Sequence, residues 1–348
     1  MNPELLRAVR GADPRSFAMV MATGIVSVAL RQAGAQGLSA ALLWVAVVAF
    51  AVLVVASAWR VAAFGQEVRG ELRRPDRVFS YFAFPAAASV VAARLAGSGS
   101  PVVVAVLVVV TVLAWVAVTC LVLGFPAFVA RARRAIADVN GTWELWVVGT
   151  QSTAIAATSA YAAGVVPARL AAWAAIVVWS AGAVLYPVIT GLVITRLLAV
   201  GLRPDDLVAP YWVTMGAASI TVLGAAQTLP VAKAAALAAV RPALTGLALI
   251  FWSVATGLIP ALAVLAAGRR RSGRTRRGFH RELWMIVFPA GMYATASMRL
   301  GAEAGLTPIR DTGTTATWVA AAVWAAVFTW MTVSAIARRS RPWSRRRI

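Results

Sequence analysis

"PVVVAVLVVVTVLAWVAVTCLVLG", residues 101–124, carries no charged side chain from end to end. At a rise of about 1.5 Å per residue it is long enough, as a helix, to cross a hydrocarbon core of about 30 Å. The chain around it has the same character. It has 348 residues, 61% of them hydrophobic and only 13% charged, against about 25% charged in soluble domains. The sequence therefore reads as a polytopic, all-α membrane protein.

Working outward from 101–124, Gly, Pro and charge punctuate nine further apolar runs. The ten predicted spans are 15–33, 38–63, 78–97, 101–124, 143–163, 168–198, 208–229, 237–267, 283–301 and 314–337. The connecting segments alternate in charge. All but seven of the 33 Lys and Arg fall in the N-terminal segment, in the links after spans 2, 4, 6 and 8, in the span ends that flank these, and in the C-terminal segment. The exceptions are Arg31, Arg94, Arg169, Lys233, Arg241, Arg299 and Arg310. Positive residues stay on the cytoplasmic side, so an even number of spans with both termini cytoplasmic is expected. Residues 1–14 are then a cytoplasmic segment, 15–338 a ten-helix transmembrane transporter or channel domain, and 339–348 a basic cytoplasmic tail. The expected location is the cell inner (plasma) membrane. Arg7, Arg10 and Arg15, an apolar stretch and then Ala33-Gly34-Ala35 also fit a signal peptide; cleavage there would leave nine spans.

A net charge of +21 can mark a nucleic-acid binder, but here the arginines sit in short links between apolar runs, and no nucleic-acid partner is expected. One cysteine, Cys120, rules out a disulfide framework, and with one histidine, His280, no metal or cofactor site is expected. The link "GRRRSGRTRRGFHREL" (268–283) and the tail "RRSRPWSRRRI" (338–348) fit contact with anionic lipid, worth about 1 kcal/mol per basic residue near the surface.

The odd spans share a pattern. Span 3, "FPAAASVVAARLAG" (84–97), and span 9, "FPAGMYATASMRLGA" (288–302), both open on Phe-Pro-Ala and reach Arg-Leu. Span 1 ends "IVSVALRQAG" and carries Thr23 and Gly24 at its middle. Span 7 places Gly216 four residues after Trp212, beside Met215, as span 9 places Phe288 four after Trp284. Span 5 carries Gly149, Thr150, Gln151, Ser152 and Thr153 in one run. Helix breaks and small polar residues are tolerated in a membrane where they face protein or a water-filled cavity. Five interrupted helices, each followed by a smoother return helix, read as five helical hairpins around an axis. The predicted lining is Thr23, Gly24, Phe84, Pro85, Gly149, Thr150, Met215, Gly216 and Gly291. The competing reading is that these residues simply let helices pack closely.

"SFAMVMATGIVSVAL" (16–30) and "LWMIVFPAGMYATASMRLG" (283–301) resemble the tellurite-resistance/dicarboxylate transporter family. That family includes bacterial tellurite-resistance proteins, fungal malate and sulfite transporters, and the slow anion channels of plant guard cells. The resemblance covers roughly residues 14–338, and Trp-x-x-x-Phe-Pro in span 9 is its most specific part. It implies ten helices in five hairpins with pseudo-fivefold symmetry around a central pore, assembled in many members as a homotrimer. It also implies that Phe288 is the pore-blocking phenylalanine and Pro289 the kink beside it. Met-Ala-Thr-Gly in span 1 departs from the Gly-rich turn of the channel members, which leaves the substrate open.

Proton-driven pumps place Asp, Glu or His at membrane depth. Here the acids lie in tails, links or helix ends, with Glu144 at the start of span 5 nearest to an exception. That pattern favours a passive channel or facilitator for small inorganic anions or organic acids. A proton-linked C4-dicarboxylate or sulfite transporter remains the alternative. Arg31, Arg94 and Arg299 end three odd spans on the outer side, where they can attract anions to the mouth or complement helix C-termini. An intramembrane enzyme would need a nucleophile with a base, paired carboxylates or metal ligands; none is apparent, and no catalytic residue is expected.

Overall fold

The computed structural model describes residues 6, 9–124, 139–201, 209–271 and 283–339. Those residues form ten long helices: α1 (Phe17–Gln32), α2 (Gln36–Leu72), α3 (Ala83–Leu95), α4 (Pro101–Leu123), α5 (Glu144–Ala162), α6 (Ala168–Val200), α7 (Trp212–Ala234), α8 (Arg241–Arg271), α9 (Trp284–Ala304) and α10 (Thr307–Arg339). No strand occurs among the described residues. Six of the apolar helices are long enough to cross a membrane by length and composition. The tail beyond 339 and most of the basic link, including His280, lie outside the described residues.

Length and burial separate two sets of helices. Each odd helix is shorter than the even helix that follows it, and the odd helices are buried along nearly their whole length, as α7 shows from Val213 to Ala232. The even helices expose large apolar side chains such as Val52, Val109, Leu113, Val177, Ile250 and Val319. Each odd helix packs against the even helix that follows it, and the odd helices pack on one another in the order α1, α3, α5, α7, α9 and back to α1. The reason lies in side-chain size: inner helices rich in Gly, Ala, Ser and Thr approach closely, and outer helices such as α2, α4 and α6, rich in Val, Leu and Ala, suit lipid.

Tryptophans tie the two sets together. Trp115 of α4 donates to Thr150 Oγ1 of α5 (3.0 Å), Trp179 of α6 to the Thr221 carbonyl of α7 (2.8 Å), Trp252 of α8 to Ser297 of α9 (2.9 Å), and Trp324 of α10 to Thr23 of α1 (2.9 Å). Each tie runs from an even helix to the next odd one. An indole N–H buried in such a bundle needs a partner, and a hydroxyl or carbonyl on the neighbouring helix supplies it.

The expected interruptions take another form. No inner helix is broken in its middle. Four of them are entered through a 3-10 turn: Pro14–Ser16, Phe79–Phe82, Gly141–Trp143 and Ala209–Tyr211. Asp13 and Asn140 cap two of these turns by accepting from the Arg15 and Thr142 amides. Pro85 stands in the first turn of α3, where its missing N–H has no intrahelical acceptor to lose. Pro289 lies inside an α9 that runs continuously from Trp284 to Ala304. Two outer helices outrun their predicted spans. Beyond residue 63, α2 continues to Leu72 through non-helical angles at Phe64. Its extension is tied back where Arg60 meets Glu71 (2.9 Å) and Tyr81 donates to Glu71 (3.0 Å). Meanwhile α10 starts at Thr307, seven residues before the predicted 314, because Pro308 suits a first helical turn.

Candidate functional site: an arginine-lined vestibule over an apolar throat

At the C-terminal ends of the inner helices a cavity of about 560 Å³ opens. Arg31 and Gln32 of α1, Arg94 of α3, Thr158, Ser159 and Tyr161 of α5, Gln227 of α7 and Arg299 of α9 line it, so every inner helix contributes. The three arginines named from sequence share this one space.

They are held differently. Arg94 is buried; its Nε donates to Ser27 Oγ (3.1 Å) and its Nη2 to Ser39 Oγ (2.9 Å). The two serines also donate to each other's carbonyls at 2.7 Å, which locks α1, α2 and α3 around the guanidinium. Arg31 lies over Gly97, where an added Cβ would come within 3.3 Å of its Nη2. Arg299 pairs with Glu303 one turn on (3.1 Å). Arg31 and Arg94 stand in the last turns of their helices, where a cation complements the helix dipole. Arg299 does not, because α9 continues past it to Ala304.

Beneath the vestibule the space closes to about 10 Å³, room for at most about one water. Each inner helix sends an apolar side chain into this throat: Ile25, Val90, Ile155, Leu223 and Met292. Ser89, which donates to the Ser152 carbonyl (2.6 Å), and Ser152 stand beside them. Phe288 is four residues before Met292 on α9, hence on the same helix face one turn deeper, and is buried. Its Cε1 would lie 3.3 Å from a Cβ placed on Gly216 of α7, and Pro289 Cγ 3.0 Å from it. Gly216 is the hollow that receives the Phe-Pro pair.

Most of the other residues expected along the axis make contacts between helices. Thr23 and Thr150 accept the tryptophan bonds from α10 and α4. A Cβ on Gly24 would meet Val90 at 2.6 Å, one on Gly149 would meet Phe82 at 2.7 Å, and one on Gly291 would meet Ile25 and Val26 at 2.9 Å. Phe84 packs among aromatic rings, edge-on to Phe17 (5.2 Å) and stacked on Phe50 of α2 (6.1 Å). The Pro85 carbonyl faces Thr111 of α4 (3.5 Å). Met215 accepts from Ser219 on its own helix (3.5 Å). These glycines let the inner helices touch, and the throat itself is lined by larger apolar residues. Sequence reasoning passed over Ile25, Val90, Ile155, Leu223 and Met292 because nothing distinguishes them from ordinary core residues. Their one signal is that Met292 lies four residues after Phe288.

Among the described residues no group of His, Cys, Asp or Glu could hold a metal ion. Cys120 is exposed on α4. Glu144 is fully buried at the start of α5, so this helix-end acid lies inside the protein.

The fold is that of an all-helical membrane protein, with an arginine-lined cavity at one end of its inner helices. The chain belongs to the voltage-dependent anion channel family, whose model matches residues 12–332. It is also similar to an uncharacterized membrane protein of Mycobacterium tuberculosis strain H37Rv. The two are 38% identical over 144 residues, which is 41% of this chain and 73% of that protein. The counterpart in strain CDC 1551 matches to the same extent. Family membership points to anion transport across a membrane.

Proposed function

We propose that this protein is a passive channel or facilitator for small inorganic anions or organic acids. In this reading the helix pairs α1–α2, α3–α4, α5–α6, α7–α8 and α9–α10 are five hairpins with pseudo-fivefold symmetry around a central pore. The basic links and both termini face the cytoplasm of a cell whose plasma membrane the protein spans, and the vestibule faces outward. The family resemblance extends this to a homotrimer in a bilayer whose anionic lipids meet the basic link and tail.

One observation carries the reading: a cavity holding three arginines leads into a throat to which all five inner helices contribute, closed by apolar side chains. The arginines concentrate anions at the mouth. The collar of Ile25, Val90, Ile155, Leu223 and Met292 excludes water, and hydrophobic constrictions block conduction by dewetting. Phe288 is the gate one turn deeper. With weakly polar walls, an anion that enters is not held. Anion efflux from proteoliposomes, compared for chloride, nitrate, sulfite and malate, tests this. The expected outcome is flux that follows the electrochemical gradient of the anion alone. Flux of none of these anions, or flux only when a proton gradient is imposed, overturns it.

A further inference from the structure

Among the described residues, the buried polar groups include a cluster that the pore does not use. Glu144 of α5 is fully buried. Its Oε1 accepts from Thr190 Oγ1 of α6 (2.8 Å), and the Thr214 hydroxyl of α7 is the other polar group that reaches the carboxyl. Tyr186 is one turn before Thr190 on α6, on the same face, and its buried hydroxyl lies beside Thr190 and Glu144.

No Lys or Arg forms an ion pair with Glu144 among the described residues. The titratable groups on the elements packed against α5 are otherwise engaged or distant. On α6, Arg196 donates to the Gly201 carbonyl (3.0 Å) and the Tyr211 hydroxyl (3.1 Å). Tyr81, in the turn ahead of α3, donates to Glu71 (3.0 Å). Cys120 of α4 is exposed. Arg94 of α3, Arg169 of α6 and Lys233 of α7 stand at the opposite ends of their helices, and Tyr161 lines the vestibule.

A carboxylate charge taken out of water is tolerated when it is paired with a cation and fully hydrogen-bonded, and here only hydroxyls reach it. Acids at such places in membrane proteins mark proton sites. We propose that Glu144 is a proton-binding site whose occupancy controls conduction. In the packed arrangement the carboxyl is neutral and takes the Thr190 hydrogen bond. Losing its proton to water at the end of the bundle away from the vestibule leaves a charge that must be hydrated, and hydration separates α5 from α6. Further along, α5 carries Ser152 and Ile155 of the throat, so the separation loosens the collar.

This rests on the channel reading for its flux measurement, and a second measurement stands without it. Chloride and nitrate stay ionised across the neutral range, so a pH dependence of their flux belongs to the protein. Wild-type flux is expected to rise several-fold as pH increases on the side of the basic links, and Glu144→Gln, which keeps the acceptor for Thr190, to be low and flat. A wild-type flux independent of pH, or a Glu144→Gln flux that keeps the wild-type dependence, overturns the proposal. Infrared difference spectra of the reconstituted protein should show a carboxyl C=O band that titrates, shifts in Thr190→Val and is lost in Glu144→Gln. No such band overturns the proton site even where anions flow. A band without anion flux upholds the site and removes the channel reading instead.

Discussion

Phe288 occupies the hollow left by Gly216. Its Cε1 would stand 3.3 Å from a Cβ on that glycine, a gap that nine in ten real contacts exceed. Phe288→Ala separates two roles. If the ring closes the pathway, its removal raises anion flux per folded protein. A ring that only packs would leave a cavity costing about 3–5 kcal/mol, lowering the yield of folded protein without raising flux. Liposome flux normalised to folded protein decides, and flux equal to or below wild type sinks the gate.

Gly216→Ala presses on the same ring from the other side. Its methyl would also come within 3.0 Å of Pro289 Cγ, so α7 and α9 must move apart by a few tenths of an ångström. We expect a small loss of thermal stability, about 1–3 kcal/mol as for other overpacked sites, together with altered flux. A change in stability alone would show that the Phe-Pro pair is structural.

The collar above the gate is testable independently. Leu223→Ser keeps a small side chain in the throat but lets water bind there, which relieves dewetting. Flux should rise, and rise further when combined with Phe288→Ala. Unchanged flux in both backgrounds would mean that the pathway lies elsewhere.

Neutralising Arg31, Arg94 and Arg299 to Gln together should reduce flux most at low ionic strength, since charges facing water are screened beyond about 8 Å at physiological salt. Arg94 has a second role: Ser27 and Ser39 bond its guanidinium in a buried site. Arg94→Gln alone should therefore also lower stability, by about 1.5–3 kcal/mol for the lost hydrogen bonds to a charged group. Arg31→Gln alone should not. Equal fluxes of the triple variant and wild type at low salt would rule out the electrostatic mouth.

Trp324→Phe removes the hydrogen bond to Thr23 and keeps the aromatic volume between α10 and α1. The expected cost is about 0.6–2 kcal/mol, the range for side-chain bonds inside membranes, read as a lower melting temperature with ion selectivity unchanged. A shift in selectivity would place Thr23 on the pathway after all.

The ten helices and their alternating character were legible in the sequence because both follow from composition. A bilayer demands about 20 apolar residues per crossing, and lipid-facing helices carry Val and Leu where inner ones carry Gly, Ala, Ser and Thr. The three arginines were legible for the same local reason, since each comes near the end of an apolar run. What sequence could not assign was the direction in which each side chain points. Gly24, Gly149 and Gly291 suit a pore wall and a helix contact equally well; only the neighbours Val90, Phe82 and Ile25, brought close by packing, show that they are contacts. The throat is the converse case. Ile25, Val90, Ile155, Leu223 and Met292 are ordinary apolar residues far apart in the chain, and they come together only because the packing of five helices brings them to line one small space. Glu144 reads as a helix-end acid, and it is the docking of α6 that buries it against Thr190. Composition and periodicity are properties of a segment, whereas a pathway and a buried charge are properties of the space between segments.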